Sequence, residues 1–280
     1  MKINTRLLVL FSVSALLLAA CSGGKSTDAG KEEGMSRFVK DEDFREAHEL
    51  PTSIDFTGKG EMVKFATPDG GEASAYVLRP EAPTDRALLV FQEWWGLNDY
   101  IRQEADRLFD SLGNVLVIAP DLYDGKVATT RQEASAYMGD AKPERIKSII
   151  RGALAYAGDK YRVATIGWCF GGGWSLKASI LAGEQGAGCV MYYGMPVESA
   201  AELAPLQADV LGIFAKRDGW INEPVVTKFE GLAKATAKQL DVHWFDAEHA
   251  FANPSSPRYN SDAAHQANQL AVAFLRERLE

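Results

Sequence analysis

The stretch IGWCFGGG, residues 166–173, sets Cys169 between Gly167 and Gly171 in a G-x-C-x-G frame. A nucleophile carried on a sharp strand-to-helix turn needs glycines beside it, because the turn strains the backbone and brings chain segments close together. A helix beginning just after Cys169 would aim unpaired N–H groups at the thiol, lowering its pKa and supporting an oxyanion. The competing reading is a buried cysteine in an ordinary glycine-rich turn.

A thiol nucleophile needs a base, and the chain has four histidines. His48 falls in a polar amino-terminal stretch, His243 inside the strand-like DVHWF, and His265 in the last helical segment. His249, in DAEHAFANP, is the one in a loop that follows a strand. Such a base needs a carboxylate on its other ring nitrogen. Asp218, in KRDGW, follows the apolar run ADVLGIFA; Asp246 and Glu248 share the loop of His249 and are poorly placed to reach round the ring. A turn or capping aspartate is the alternative for Asp218. Glu93, in FQEWWGLN, ends another apolar run beside Trp94 and Trp95. Partial desolvation there would raise its pKa, though a surface glutamate at a strand end fits the position as well.

These residues need a scaffold that gathers strand ends. EMVKFA (61–66) and ASAYVL (73–78), with a turn between, read as an antiparallel hairpin. ALLVFQ, NVLVIAP, YRVATIG, AGCVMYYG, ADVLGIFA and DVHWFD read as later strands, the apolar ones covered on both faces. Helical spacing fits residues 100–113, 143–157, 171–182, 222–237 and 261–279. Strands alternating with helices predict an α/β fold with a mostly parallel sheet and helices on both faces. Ligands bind beyond the carboxyl ends of such strands, where Glu93, Cys169, Asp218 and His249 fall. The order Cys169, Asp218, His249 is the nucleophile–acid–histidine order of α/β-hydrolases.

With these places identified, QEWWGLN, GWCFGGG, RDGW and HAFANP together resemble the dienelactone hydrolase family over roughly residues 55–280. The resemblance implies a single-domain α/β-hydrolase fold that cleaves a small ester or lactone, with Cys169 as nucleophile, His249 as base and Asp218 as its partner. It implies that Glu93 keeps the thiol protonated at rest and takes its proton when substrate arrives, and that the backbone N–H groups of Trp94 and Phe170 form the oxyanion hole. Members that act on chlorocatechol-derived lactones carry an arginine four residues after the histidine; here that position is Asn253, and Trp94 and Trp95 crowd the pocket mouth. Two other functions compete: a non-catalytic binding protein of the cell envelope on the same fold, and a thiol sensor of oxidants.

Of the 280 residues, 46% are hydrophobic, enough for one sizeable core. The net charge of −8, without a basic tract, argues against nucleic acid as a partner. No metal-ligand spacing is evident, and the glycines at 171–173 lack the Gly-Lys-Ser/Thr of a phosphate loop, so no cofactor is expected. A monomer is expected. Three cysteines do not make a disulfide framework; Cys189 reads as a buried strand residue.

Lys2 and Arg6 precede the apolar run LLVLFSVSALLLAA, which is short for a membrane span and suits a signal peptide. It ends in Leu18-Ala19-Ala20-Cys21, which resembles a bacterial lipobox. That implies removal of residues 1–20 and lipidation of Cys21, with Ser22 pointing to the outer membrane and a periplasmic location. Residues 21–50, rich in Gly, Ser, Lys, Asp and Glu, read as a flexible tether to a domain at 51–280.

Overall fold

In the computed structural model of the protein, residues 34–280 are described. The signal peptide, Cys21 and the start of the tether lie outside them. A 3-10 turn at Gly34–Phe38 leads into α1 (Glu42–Glu46). The hairpin β1 (Glu61–Ala66) and β2 (Glu72–Leu78) follows, then β3 (Arg86–Phe91), α2 (Asp99–Leu112) and β4 (Leu116–Pro120). Next come α3 (Arg131–Asp140), α4 (Pro143–Ala157), β5 (Arg162–Trp168), α5 (Phe170–Ala182) and β6 (Gly186–Tyr192). The chain ends with α6 (Ala200–Leu203), β7 (Asp209–Ala215), α7 (Glu223–Ala235), β8 (Leu240–Phe245) and α8 (Ser261–Leu279).

The eight strands form one sheet in the order β1-β2-β4-β3-β5-β6-β7-β8. β2 pairs antiparallel with both β1 and β4, and every other pairing is parallel. This is the α/β-hydrolase fold expected from the alternating pattern. β3, β4, β5 and β7 are almost wholly buried, as continuous apolar runs in a parallel sheet should be. α2 packs with α8 and α4 with α5, which buries their apolar stripes against the sheet. Side chains that accept from the first-turn N–H groups fix several helix starts: Asn98 for α2, Asn222 for α7 and Asn260 for α8. Among the described residues no helix is long and apolar enough to cross a membrane.

The main correction concerns the tether. Residues 34–48 are folded onto the rest of the chain. Met35, Val39, Phe44 and Ala47 are buried. Ser36 Oγ donates to Met138 O at 3.0 Å, and Ser135 Oγ donates to Val39 O at 2.8 Å, both across to α3. Arg131 Nε donates to His48 O at 2.6 Å. Composition read as flexible because two short helices carry few apolar residues, and helices this short draw their stability from tertiary contacts. α3, which holds them through these hydrogen bonds, has only Ala134 and Met138 buried, too weak a stripe to stand out in the sequence.

Candidate active site

β5 runs into Cys169, and α5 begins at the next residue. Cys169 has φ 53° and ψ −116°, a conformation that costs an L-residue energy and marks a turn held by its surroundings. The two glycines of the motif allow the close approach. A Cβ on Gly167 would stand 2.1 Å from Gly171 O, and one on Gly171 would stand 2.4 Å from Phe91 O and Gln92 O. Tyr193 (φ 34°) and Ala250 (φ 64°) are also strained, and they adjoin the ring of His249 and its own position.

His249 follows β8, and Asp218 follows β7. Asp218 Oδ2 accepts from His249 Nδ1 at 2.6 Å, and both side chains are fully buried. Asp218 Oδ1 accepts from the N–H groups of Trp220 at 2.8 Å and Ile221 at 2.9 Å, so the carboxylate cannot turn away. Burial alone would raise its pKa, but the His249 ring and these two donors hold it below the ordinary carboxylate range. Burial likewise opposes a charge on His249, yet Asp218 and Cys169 together outweigh it and push the imidazole up to about 10. Asp246 and Glu248 turn away, to Arg217 and Arg258.

Cys169 is 1% exposed. A helix amino terminus was expected to lower its pKa, and the Phe170 N–H does act that way, but burial is the larger effect and the thiol is raised. The thiol stays protonated at rest, because burial at 1% exposure disfavours a bare thiolate. The free ring nitrogen of His249, Nε2, has no hydrogen-bond partner, and a ring nitrogen of His249 lies within 4.8 Å of the sulfur.

Glu93 lies just beyond β3. Burial raises its pKa to about 7, against the pull of His249 and Asn253. Its Oε2 accepts from Asn253 Nδ2, while Oε1 has no partner. Asn253 Oδ1 accepts from Ser255 N at 2.8 Å and Ser255 Oγ at 2.7 Å, which fixes the amide for that task. Asn253 therefore anchors Glu93, a role that the sequence signalled only as a missing arginine. The two residues line a cavity of about 420 Å³ that also includes Tyr100, Arg107, Trp168 and Tyr259. Cys169, Asp218 and His249 do not line it, while Glu93, which does, acts on the thiol through its charge. Arg107 Nε donates to Glu104 Oε2 at 2.7 Å, so the cavity's arginine is already paired.

Trp94 and Trp95 are 0% and 2% exposed, their rings 4.9 Å apart. Neither of them lines that cavity. A wall of the site that was not foreseen comes from α1. The Phe44 ring lies 5.6 Å from Trp94, 5.3 Å from Trp220 and 6.0 Å from His249. His48 lies 4.7 Å from the Trp94 ring and 5.4 Å from His249. His243 and His265 face outward, to Asp241 and Gln269.

The model of the dienelactone hydrolase family matches residues 73–279, and the chain belongs to that family. It is 26% identical over 227 residues to carboxymethylenebutenolidase 1 of Cupriavidus pinatubonensis, covering 76% of this chain and 95% of that one. It is 25% identical to a putative carboxymethylenebutenolidase of Aquifex aeolicus over 79% of this chain and 100% of the relative. Among solved structures, a putative dienelactone hydrolase of Klebsiella pneumoniae superposes with a TM-score of 0.65 at 21% identity, covering 77% of this chain and 98% of that one. A dienelactone hydrolase-like promiscuous phosphotriesterase from metagenomic libraries gives 0.66 at 21% identity, covering 80% and 100%.

Proposed function

We propose that the protein is a carboxylic ester hydrolase that cleaves a small ester or lactone through a thioester on Cys169. The observation that carries this reading is the 2.6 Å Asp218–His249 pair, set beside a thiol on a strained strand-to-helix turn. In the first step Cys169 Sγ attacks the carbonyl carbon and its proton passes to a base. Glu93, with its free Oε1 and a pKa near 7, takes that proton or passes it on to His249. The carbonyl oxygen becomes an oxyanion, held by the backbone N–H groups of Phe170 and Trp94; removing one such donor typically costs on the order of 10²–10³ in rate. The C–O bond breaks and the alcohol leaves with a proton from His249. In the second step His249 takes a proton from water, which attacks the thioester; the C–S bond breaks, the acid is released, and the sulfur regains a proton from the base that holds it. Asp218 keeps the ring oriented and balances its charge.

The cavity lined by Glu93 and Asn253 takes the substrate. Among the described residues, Asn253 and the paired Arg107 leave no free cation in this cavity to grip a carboxylate. This favours an uncharged group at that end of the substrate over the acid of a dienelactone. Hydrolysis of short-chain aryl esters and small lactones by the full chain, compared with Cys169→Ala and His249→Asn, tests the reading. Turnover lost in both variants supports it; turnover kept in Cys169→Ala overturns it.

The amino terminus supports a cell-envelope location, with residues 1–20 removed and Cys21 lipidated on the periplasmic face of the outer membrane. Cys21→Ala should release the protein from the membrane fraction, and undiminished membrane association would contradict lipidation.

A further inference from the structure

The amino-terminal segment brings a second histidine onto the thiol. One ring nitrogen of His48, one of His249 and the sulfur of Cys169 lie within 4.8 Å of one another, and all three residues are buried. In each ring Nδ1 is already engaged. His48 Nδ1 lies 2.6 Å from Phe44 O, and His249 Nδ1 lies 2.6 Å from Asp218 Oδ2. A carbonyl oxygen can only accept, so His48 Nδ1 carries the hydrogen and its Nε2 presents a lone pair. Asp218 sets the same tautomer on neutral His249. Neither Nε2 has a hydrogen-bond partner.

His48 Nε2 therefore aims a lone pair at the thiol, and His249 Nε2 offers a second one once its proton has left. Ester hydrolysis needs only one of these histidines. The second leaves a buried acceptor unpaired, which costs stability. Two carboxyl groups, Glu93 and Asp218, are buried around the same point. A divalent ion in place of the His249 proton would engage both rings and the sulfur at once. Metal-bound histidines typically donate their other ring N–H to a carboxylate or a backbone carbonyl, the arrangement that Asp218 and Phe44 O already provide.

We propose that Cys169, His48 and His249 form a three-ligand site for one zinc-like divalent ion, whose binding switches the nucleophile off. Zinc sits about 2.3 Å from sulfur and about 2.0–2.1 Å from imidazole nitrogen in tetrahedral sites. The donors need to draw together by roughly 1 Å to meet that geometry. Binding forms one S–metal bond and two N–metal bonds. The S–H bond breaks, its proton leaves to solvent with any proton on His249 Nε2, and no electrons change hands. The fourth position stays open, as in three-ligand zinc sites. With the Cys169 sulfur and His249 Nε2 both coordinated, neither attack nor proton transfer can proceed. The inhibition rests on the hydrolase reading; the binding does not.

The test titrates reduced, metal-free full-length protein with Co²⁺, then with Zn²⁺. The expected result is a thiolate-to-cobalt charge-transfer band and tetrahedral visible bands. They should saturate near one ion per chain and be displaced by Zn²⁺. Cys169→Ala should abolish the charge-transfer band. His48→Ala should weaken Co²⁺ binding by at least about tenfold, while His265→Ala, a change at an exposed histidine, leaves it unaltered. If melting shows that His48→Ala does not fold, His48→Gln serves in its place. Ester turnover should fall with stoichiometric Zn²⁺ and return with a chelator. Absence of the band, or identical affinity and spectrum in the folded His48 variant, overturns the proposal. If no ester is turned over, the cobalt spectrum still decides whether the site exists.

Discussion

Cys169 and Cys189 are both free thiols, both buried, and separated only by the β5–β6 pairing, yet they live in different chemistry. Cys189 lies inside β6, opposite Thr165. Its sulfur is 3.5 Å from Ser175 Oγ, which is itself held by Thr165 Oγ1 and Val190 O at 2.9 Å each. Burial raises its pKa to about 11, and the neighbouring hydroxyls offset only part of that. Cys169 feels the same burial, but His249 and the Phe170 N–H act against it. Burial alone makes a thiol inert; placing it at the strand end, where loops bring a base and an acid, makes it usable.

The comparison can be broken most directly by exchange. Cys169→Ala should lower short-chain ester turnover by about 10³-fold or more. Cys189→Ala should leave turnover within about twofold and instead cost roughly 1 kcal/mol of stability, read from denaturant melts. Equal losses of activity in the two variants would remove the distinction. Asp218→Asn should come next, with a loss approaching about 10⁴-fold as the His249 tautomer reverses, while the melting curve still shows a folded protein.

Glu93→Gln sharpens the pH side. Glu93 has a folded pKa of about 7, raised by burial. It is protonated below that pH and takes up a thiol proton only above it, so kcat/KM should rise through about pH 7 and lose this limb in Glu93→Gln. The stability sign is opposite. A carboxyl raised in the fold favours folding below its unfolded pKa, and that contribution is lost as pH rises through about 7. Wild type should weaken between about pH 4.5 and 7 by up to about 3 kcal/mol relative to Glu93→Gln. The smallest effect is in reactivity. Iodoacetamide should modify Cys169 before Cys189 in the native protein, with the difference vanishing in denaturant.

What could be read from the sequence follows the same division. Strand ends are marked by apolar runs that stop, so Glu93, Cys169, Asp218 and His249 could be placed without coordinates. The β1–β2 hairpin was legible from the turn between two short strands, and α4 (Pro143–Ala157) from the helical spacing of its apolar residues. His48 was not. It lies in a charged stretch whose few apolar residues, Met35, Val39 and Phe44, find their partners on α3, Trp94 and Trp220, far away in the chain. Asn253 was noticed for the arginine it replaces, but its bond to Glu93 depends on loop geometry that no local pattern encodes.

The central claim is covalent catalysis at Cys169, and mass spectrometry of the quenched reaction tests it most directly. His249→Asn, mixed with a short-chain aryl ester, should carry one acyl group, found on the peptide that contains Cys169 and not on the one that contains Cys189. Wild-type turnover with no acylated Cys169 peptide in either protein, and persisting in Cys169→Ala, would contradict the account.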